Sequence, residues 1–350
     1  MIDRHLGRTP RQPPPQRTRS GSAWVVATLW ITLQLHGGVA PAASPGPASV
    51  TYTGCCDASA GAPVSPDLMA TASDEDNVLR LYRRHTGGPV VQALNLSSFL
   101  VVSRREEADL EAAARLGDRV YWIGSHSRNA DGEPRPARHV LFATDLRTTG
   151  TNLTLVPTGR PWRTLVSELA RHPETRSLQL EAAAARPAEA RGGLNIEGLA
   201  AGPGGSLWIG FRNPVPGGLA LVIPLLNPAE VITGAPAQFG AVLRPDLAGL
   251  GIRDFARGSD GYWILAGPAE GGGRHRLFRW NGPGSTPTEV PGAVPKGFQA
   301  ESVIADTEPA GRAEIMLLGD EGGEKVSGRR CEDLPDFTQR RFRAVTVLGR

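Results

Sequence analysis

The chain has 350 residues, with 43 glycines, 30 prolines and a formal net charge of +3. This length accommodates one large domain or two small ones, and the glycine and proline content favours many short strands joined by turns. Almost all of the positive charge is arginine, and no basic cluster is interleaved with aromatic residues. The composition therefore gives no support for a nucleic-acid partner.

The first segment has the pattern of an export signal. Several arginines precede an apolar stretch from Ala23 to Leu35, and Ala40-Pro41-Ala42 follows as a candidate cleavage site. The apolar stretch is shorter than the roughly 20 residues that a membrane-spanning helix needs. We therefore predict a signal peptide over residues 1–42 and a secreted or periplasmic mature chain, nearly neutral in charge and with no membrane span after cleavage.

A short unit repeats five times along the rest of the chain. Each unit has a carboxylate in a strand-like stretch and, about a dozen residues later, a flat apolar run such as Tyr121–Gly124 or Leu207–Gly210. Such repetition indicates one supersecondary unit stacked on copies of itself. The five acids are Asp57, Glu111, Glu197, Asp254 and Glu301.

Further alternating stretches bring most units to four strands, which predicts an all-β chain, a single β-propeller over residues 43–350 with five or six four-stranded blades. The predicted fourth strands are Val90–Leu96, Asn152–Val156, Ala229–Thr233 and Thr288–Val294. The fifth unit lacks one, and the spare stretch Ser49–Thr53 is predicted to complete it and so cover an exposed edge. The alanine-rich insertion at about 161–193 is predicted to hold a short helix, with a degenerate sixth blade as the alternative.

Closure of the ring also makes a prediction for the cysteines. It brings Cys55 or Cys56 towards Cys331, and export permits a disulfide between them. The sequence leaves open which of the two neighbours pairs with Cys331.

Blade topology predicts where a ligand would bind. The start of each innermost strand and the end of the second strand lie on the same face, so the acids and the following turns converge on one mouth of the channel. We predict a pocket there for a small-molecule or extracellular ligand. Its candidate residues are Asp74, Asp76, His126, Arg128, Arg212, Asn213, Arg253 and Asp320.

Two chemistries are open at this mouth. The five converging acids could bind calcium, which takes six to eight oxygen ligands at loose geometry. Alternatively each acid pairs with a neighbouring arginine, as Arg253 beside Asp254 suggests, or caps adjacent backbone amides. His126 is the one candidate general base, with a surface hydrogen-bonding role as its alternative. We interpret the chain as a binding or scaffold module, and a calcium-dependent, phytase-like hydrolase of phosphate esters or lactones is the second hypothesis.

Residues 74–82, 107–126 and 250–255 resemble an uncharacterised bacterial family, a domain of unknown function, with similarity from about Tyr52 to near the C-terminus. A fainter likeness links residues 196–200, Ile-Glu-Gly-Leu-Ala, to phytase-like and lactonase-like propellers. The resemblance implies a propeller, and the fainter likeness implies calcium binding in some of its members. It implies no particular reaction.

Overall fold

The structure is a computed structural model that describes residues 49–103, 106–306 and 314–348, together with Gln12. Apart from Gln12, the predicted signal peptide lies outside these residues. Within the described ranges, no helix has the length and apolar character needed to span a membrane.

Five sheets, antiparallel except for one short parallel pair at the edge of blade 5, form the five blades of a β-propeller, as predicted. Blade 1 consists of Ala60–Pro63, Leu68–Ala72, Val78–Arg83 and Gln92–Asn95. Blade 2 consists of Leu110–Leu116, Arg119–Gly124, Leu141–Thr149 and Asn152–Trp162. Blade 3 consists of Asn195–Ala201, Leu207–Asn213 and Leu221–Leu225. Blade 4 consists of Gly251–Gly258, Gly261–Gly267, Arg276–Trp280 and Thr288–Glu289.

Blade 5 closes the ring with the first strand of the chain. Its strands are Ala300–Ala305, Glu314–Gly319, Arg341–Leu348 and Ser49–Thr53, with Gly88–Pro89 at the outer edge. Ser49–Thr53 pairs antiparallel with Arg341–Leu348, from Ser49 opposite Val345 to Thr53 opposite Arg341. The inner strands contact one another in cyclic order, including that of blade 5 with that of blade 1. The predicted closure is confirmed.

The disulfide joins Cys56 to Cys331 across 275 residues of sequence. Cys55 is free and buried, because it packs into the apolar cluster between blades 5 and 1. In that cluster the rings of Tyr52 and Phe342 stack with centroids 4.9 Å apart. The predicted disulfide to Cys331 is therefore confirmed. Because Cys55 is packed in the apolar cluster, Cys56 is the residue that pairs with Cys331.

The core is divided into five apolar clusters, one between each pair of neighbouring blades. Trp122, Trp208 and Trp263 occupy equivalent second-strand positions, and all three are buried in these clusters. Trp208 of blade 3 stacks on Tyr262 of blade 4 with ring centroids 4.6 Å apart. Burial of these flat side chains between sheets holds neighbouring blades together.

The segment between blades 2 and 3 is helical and forms no sixth blade. Its helices are Leu165–Arg171 and Leu180–Ala184, and both pack apolar side chains into the cluster between these blades. The remaining helices are short: Ser97–Leu100 and Pro228–Val231, and the 3-10 turns Pro136–Arg138, Arg176–Leu178, Pro203–Gly205, Pro216–Gly218 and Phe337–Gln339.

The prediction of a strand over Ala229–Thr233 was wrong. This stretch belongs to the helix Pro228–Val231, whose proline stands in the first turn, where its missing N–H costs no hydrogen bond. Leu243 and Phe239 instead form isolated bridges to the third strand of blade 3.

Candidate ligand site at the mouth of the propeller

The inner strands of blades 2 to 5 each contain a bulge at the same place. In blade 2, Leu110 pairs with Gly124 and Ala112 with Ile123, so the residue between them has no partner across the ladder. A bulge of this kind redirects the side chain of the extra residue. The four bulge residues, all lining one cavity, are Glu111, Glu197, Arg253 and Glu301.

Arg253 therefore holds the place in blade 4 that was predicted for Asp254. Asp254 is 1% exposed and lies outside the cavity lining. Its carboxylate accepts hydrogen bonds from Ser302 Oγ at 2.7 Å and from the backbone N–H of Val303 at 2.9 Å. Asp254 thus ties blade 4 to blade 5, and burial raises its pKa well above the usual range.

The cavity has a volume of about 510 Å³ and lies where the five inner strands begin. Ten carboxylates and four arginines line it, so its wall is strongly acidic. The acids are Asp57, Asp74, Glu75, Asp109, Glu111, Glu189, Glu197, Glu301, Asp320 and Glu332, and the arginines are Arg128, Arg138, Arg212 and Arg253.

The wall formed by blades 3 to 5, which we call the paired half, has arginines between its acids. Glu197 Oε1 accepts a hydrogen bond from Arg212 Nη1 at 3.0 Å, and Glu197 Oε2 lies 3.4 Å from Arg253 Nε. Arg253 also forms an ion pair with Glu301 through its Nη2 atom. Burial nevertheless raises the pKa of Glu301 to about 7, against the attraction of Arg253.

The wall formed by blades 1 and 2, which we call the acidic half, lacks this balance. Oxygen atoms of Asp74, Asp109 and Glu111 all lie within 4.8 Å of one another. Asp109 pairs with Arg138 at 2.9 Å, whereas Asp74 and Glu111 have no ion-pair partner in the described parts of the chain. Asp74 Oδ1 accepts a hydrogen bond from Ser59 Oγ at 3.0 Å.

Burial raises the pKa of each carboxyl group in this half. The pKa of Asp74 rises to about 6 and that of Asp109 to about 7, in the second case despite the opposing Arg138. The pKa values of Glu111 and Asp57 rise well above their usual ranges, and the charges of Glu197 and Asp74, respectively, add to the effect. These carboxyl groups are close to one another, and the positive charge of Arg138 does not offset the cost of ionising all of them.

Most predicted site residues line the cavity. Four of the five repeated acids do so, namely Asp57, Glu111, Glu197 and Glu301, together with Asp74, Arg128, Arg212, Arg253 and Asp320. Asp76 lies outside the lining because it pairs with Arg80 at 3.1 Å.

Asn213 also lies outside the lining, but it holds the cavity rim. Its Nδ2 atom donates to the carbonyl oxygens of Ala188 and Ala190, both at 2.8 Å. Arg212 Nη2 donates to Glu189 Oε1 at 2.8 Å. The insertion between blades 2 and 3 thereby contributes residues 187–190 to the wall of the cavity.

His126 lies beneath the mouth and outside the cavity lining. Its ring is fully buried, and its Nδ1 atom donates to the Gly124 carbonyl at 2.9 Å. Burial lowers the pKa of His126 to about 3, and the neighbouring His139 adds to the shift. The ring is therefore neutral at physiological pH and makes no contact with the cavity through which it could act as a general base.

Sequence reasoning missed Asp109, Asn195 and Arg138, all of which line the cavity. A signal for two of them was present: Asp109 and Asn195 each stand two residues before a repeated glutamate. On a regular strand residues two apart share a face, but here Asp109 directly precedes its strand and a bulge interrupts the strand between Asn195 and Gly198. Asn195 Nδ2 donates to Glu197 Oε1 at 2.6 Å, which fixes both side chains together.

The fold and cavity define the class of protein: a five-bladed propeller with an acidic cavity at one mouth of its channel. Residues 180–328 match the family described as "Protein of unknown function (DUF3616)". The resemblance to an uncharacterised family is confirmed over this segment, which spans the end of the insertion, blades 3 and 4, and part of blade 5. No curated protein matches the chain.

Several solved structures are similar in arrangement. The PQQ-bound aldose sugar dehydrogenase of Streptomyces coelicolor is 13% identical over 87% of this chain and 100% of its own, with a TM-score of 0.40. Glutaminyl cyclase of Myxococcus xanthus is 10% identical over 87% and 96%, with a TM-score of 0.45. A gluconolactonase of Xanthomonas campestris is 11% identical over 85% and 88%, with a TM-score of 0.38. Values this low leave activity to be argued from the residues of this chain.

Proposed function

We propose that the chain is a ligand-binding protein that holds a calcium ion at Asp74, Asp109 and Glu111 and takes a small molecule beside it in the cavity. The observation that carries the proposal is the convergence of these three carboxylates within 4.8 Å on the wall of a 510 Å³ cavity. A cation among them would let all three ionise together. Calcium suits the set because it accepts many oxygen ligands at loose geometry.

The arginines of the wall disfavour a free anion as the ligand. Arg212, Arg253 and Arg138 all donate to carboxylates of the chain. Arg128 donates to the carbonyl oxygens of Ala184 and Gly132. A phosphate or carboxylate entering alone would therefore meet mainly negative charge.

Calcium titration of chelator-treated protein tests the cation site. We expect saturable calorimetric binding with a Kd on the order of 10⁻⁴ M, the range of extracellular calcium modules. At a hundredfold excess over Kd, calcium should stabilise the fold by about 2.7 kcal/mol. Asp74→Asn and Glu111→Gln should each weaken binding at least tenfold. Asp260→Asn is the matched control, since Asp260 lies on an exposed hairpin of blade 4 outside the cavity.

Absence of calorimetric binding, or equal affinity in Glu111→Gln and Asp260→Asn, would contradict the proposal. Magnesium provides a further comparison because it demands stricter octahedral geometry, so we expect it to bind more weakly than calcium.

A calcium-dependent hydrolase of phosphate esters or lactones is the second candidate. One observation favours it: the pKa of Glu301, raised to about 7, would let this group exchange a proton at neutral pH. Turnover of a lactone or phosphate-ester panel that requires calcium and is lost in Glu301→Gln, with calcium affinity retained, would establish it. Absence of turnover with every substrate would remove it.

The site of action is proposed to be secreted or periplasmic. The Cys56–Cys331 disulfide supports this proposal, because disulfides persist in oxidising compartments. Detection of the processed chain in a periplasmic or culture fraction tests it, and retention in the cytosolic fraction would contradict it.

A further inference from the structure

The paired half of the cavity contains three polar atoms whose hydrogen bonds are incomplete. Asn195 Oδ1, Glu197 Oε2 and Arg253 Nε are buried and have no hydrogen-bond partner among the described residues. Asn195 is 5% exposed and Glu197 is 2% exposed, and all three residues line the cavity. A buried polar group without a hydrogen bond is costly, so a ligand that completes these hydrogen bonds gains affinity.

The orientation of these atoms is fixed by neighbouring contacts. Asn195 Nδ2 donates to Glu197 Oε1, so the amide oxygen of Asn195 is the atom left over. The same Glu197 Oε1 accepts from Arg212 Nη1, so the free oxygen is Oε2. This oxygen lies 3.4 Å from Arg253 Nε without forming a hydrogen bond. Two acceptors and one donor are therefore left without a hydrogen bond among the described residues, and two of these atoms, Glu197 Oε2 and Arg253 Nε, are neighbours.

The chemistry of this set excludes charged partners. An ammonium group only donates, and it would lie beside the guanidinium groups of Arg212 and Arg253. A carboxylate or a fully ionised phosphate only accepts, so it would leave Asn195 Oδ1 unsatisfied and repel Glu197. A hydroxyl group both donates and accepts, so a single hydroxyl that contacts Glu197 Oε2 and Arg253 Nε from one side, at hydrogen-bond distance from each, satisfies both atoms.

We propose that the cavity binds a neutral polyhydroxylated ligand, a monosaccharide or a polyol. One hydroxyl donates to Asn195 Oδ1, and a second donates to Glu197 Oε2 while accepting from Arg253 Nε. A cavity of 510 Å³ accommodates a sugar ring with room for an adjacent ion. This inference rests on the proposed function as a ligand-binding cavity, but it does not depend on the calcium ion.

Calorimetry of the full chain with a defined panel tests the inference. The neutral probes are glucose, galactose, mannose, xylose, myo-inositol and glycerol, and the charged probes are glucosamine and glucuronate. We expect saturable binding of at least one neutral probe, with the related charged probe at least tenfold weaker. Methyl glycosides of the binding sugar show whether a free monosaccharide or the end of a glycan is accepted.

Asn195→Leu should weaken binding of the neutral probe at least tenfold, whereas Asn152→Leu, at the exposed start of the fourth strand of blade 2, should leave the affinity unchanged. Should Asn195→Leu fail to fold, deoxy analogues of the binding sugar give the same information on the unaltered protein. Removal of either hydroxyl, the one that contacts Asn195 or the one that contacts Glu197 and Arg253, should weaken binding at least tenfold.

Failure of every neutral probe to bind, equal binding of charged probes, or indifference to every deoxy substitution would overturn the inference. Calcium titration separates this outcome from failure of the proposed function. Calcium binding without sugar binding removes the inference alone, and sugar binding without calcium binding removes the cation site alone.

Discussion

The two halves of the mouth cavity use the same backbone device with opposite electrostatic results. Glu111 and Glu197 occupy equivalent bulges in neighbouring blades, yet Glu197 lies between Arg212 and Arg253, whereas Glu111 lies beside Asp74 and Asp109. A glutamate at a repeated position is thus a structural ion-pair member in one blade and a candidate ligand in the next. The neighbouring charge decides between these roles.

The largest effect that tests this comparison is expected from Arg253→Met. The change leaves Glu301 without its ion-pair partner and removes one of the two arginines beside Glu197. Uncompensated buried charge costs about 3–5 kcal/mol of unfolding free energy. Urea denaturation measures the loss. Arg128→Met is the control, because Arg128 donates only to backbone carbonyls, and an equal loss in both variants would show that the paired half is not held by charge.

The second prediction concerns the pH dependence of stability, to which the buried His126 contributes. Because the pKa of His126 falls to about 3 in the fold, the unfolded chain binds a proton that the folded chain does not between about pH 6.5 and 3. Stability from this group is complete above pH 6.5 and declines as the pH falls, by up to about 1.4 kcal/mol per pH unit.

His126→Asn should remove that slope, and asparagine tolerates the positive φ of 55° at this position. Urea denaturation between pH 4 and 8 measures it. His85→Asn is the control, since His85 is exposed. Identical slopes in the parent and in His126→Asn would contradict the assignment.

The smallest expected effect comes from making the same substitution at the equivalent bulge in each half of the cavity. In chelator at pH 8, Glu111→Gln should raise the free energy of unfolding by about 1 kcal/mol, because it replaces a buried carboxyl group that lacks an ion-pair partner. Glu197→Gln, the same change at the equivalent bulge, should lower it because Arg212 and Arg253 lose a partner. If the free energy of unfolding changes in the same direction in both variants, the proposed electrostatic difference between the two halves is wrong.

Sequence patterns predicted the parts of the fold that depend on local alternation. The blades, the closing strand Ser49–Thr53 and the disulfide to Cys331 all followed from the repeated apolar runs, the spare strand before the first unit and the missing fourth strand of the fifth. The failed strand at Ala229–Thr233 carried a contrary signal, since Asn227-Pro228 is a typical helix start.

The site was predicted less completely because its side chains are directed by bulges. A bulge is defined by pairing between strands, and the sequence of one strand does not reveal it. Asp254 was consequently assigned to the place that Arg253 occupies. Within the described residues, Asn195 Oδ1 lacks a hydrogen-bond partner because of contacts with Glu197 and Arg212, which lie on two different strands of blade 3. The sequence of a single strand therefore does not predict it.

The pairing of Ser49–Thr53 with Arg341–Leu348 has a consequence for biogenesis. Ser49–Thr53 is synthesised long before Arg341–Leu348, so blade 5 stays incomplete until the later strand has been made. The Cys56–Cys331 bond then locks the finished circle. The ring therefore cannot close until both of the strands that pair in blade 5 have been made.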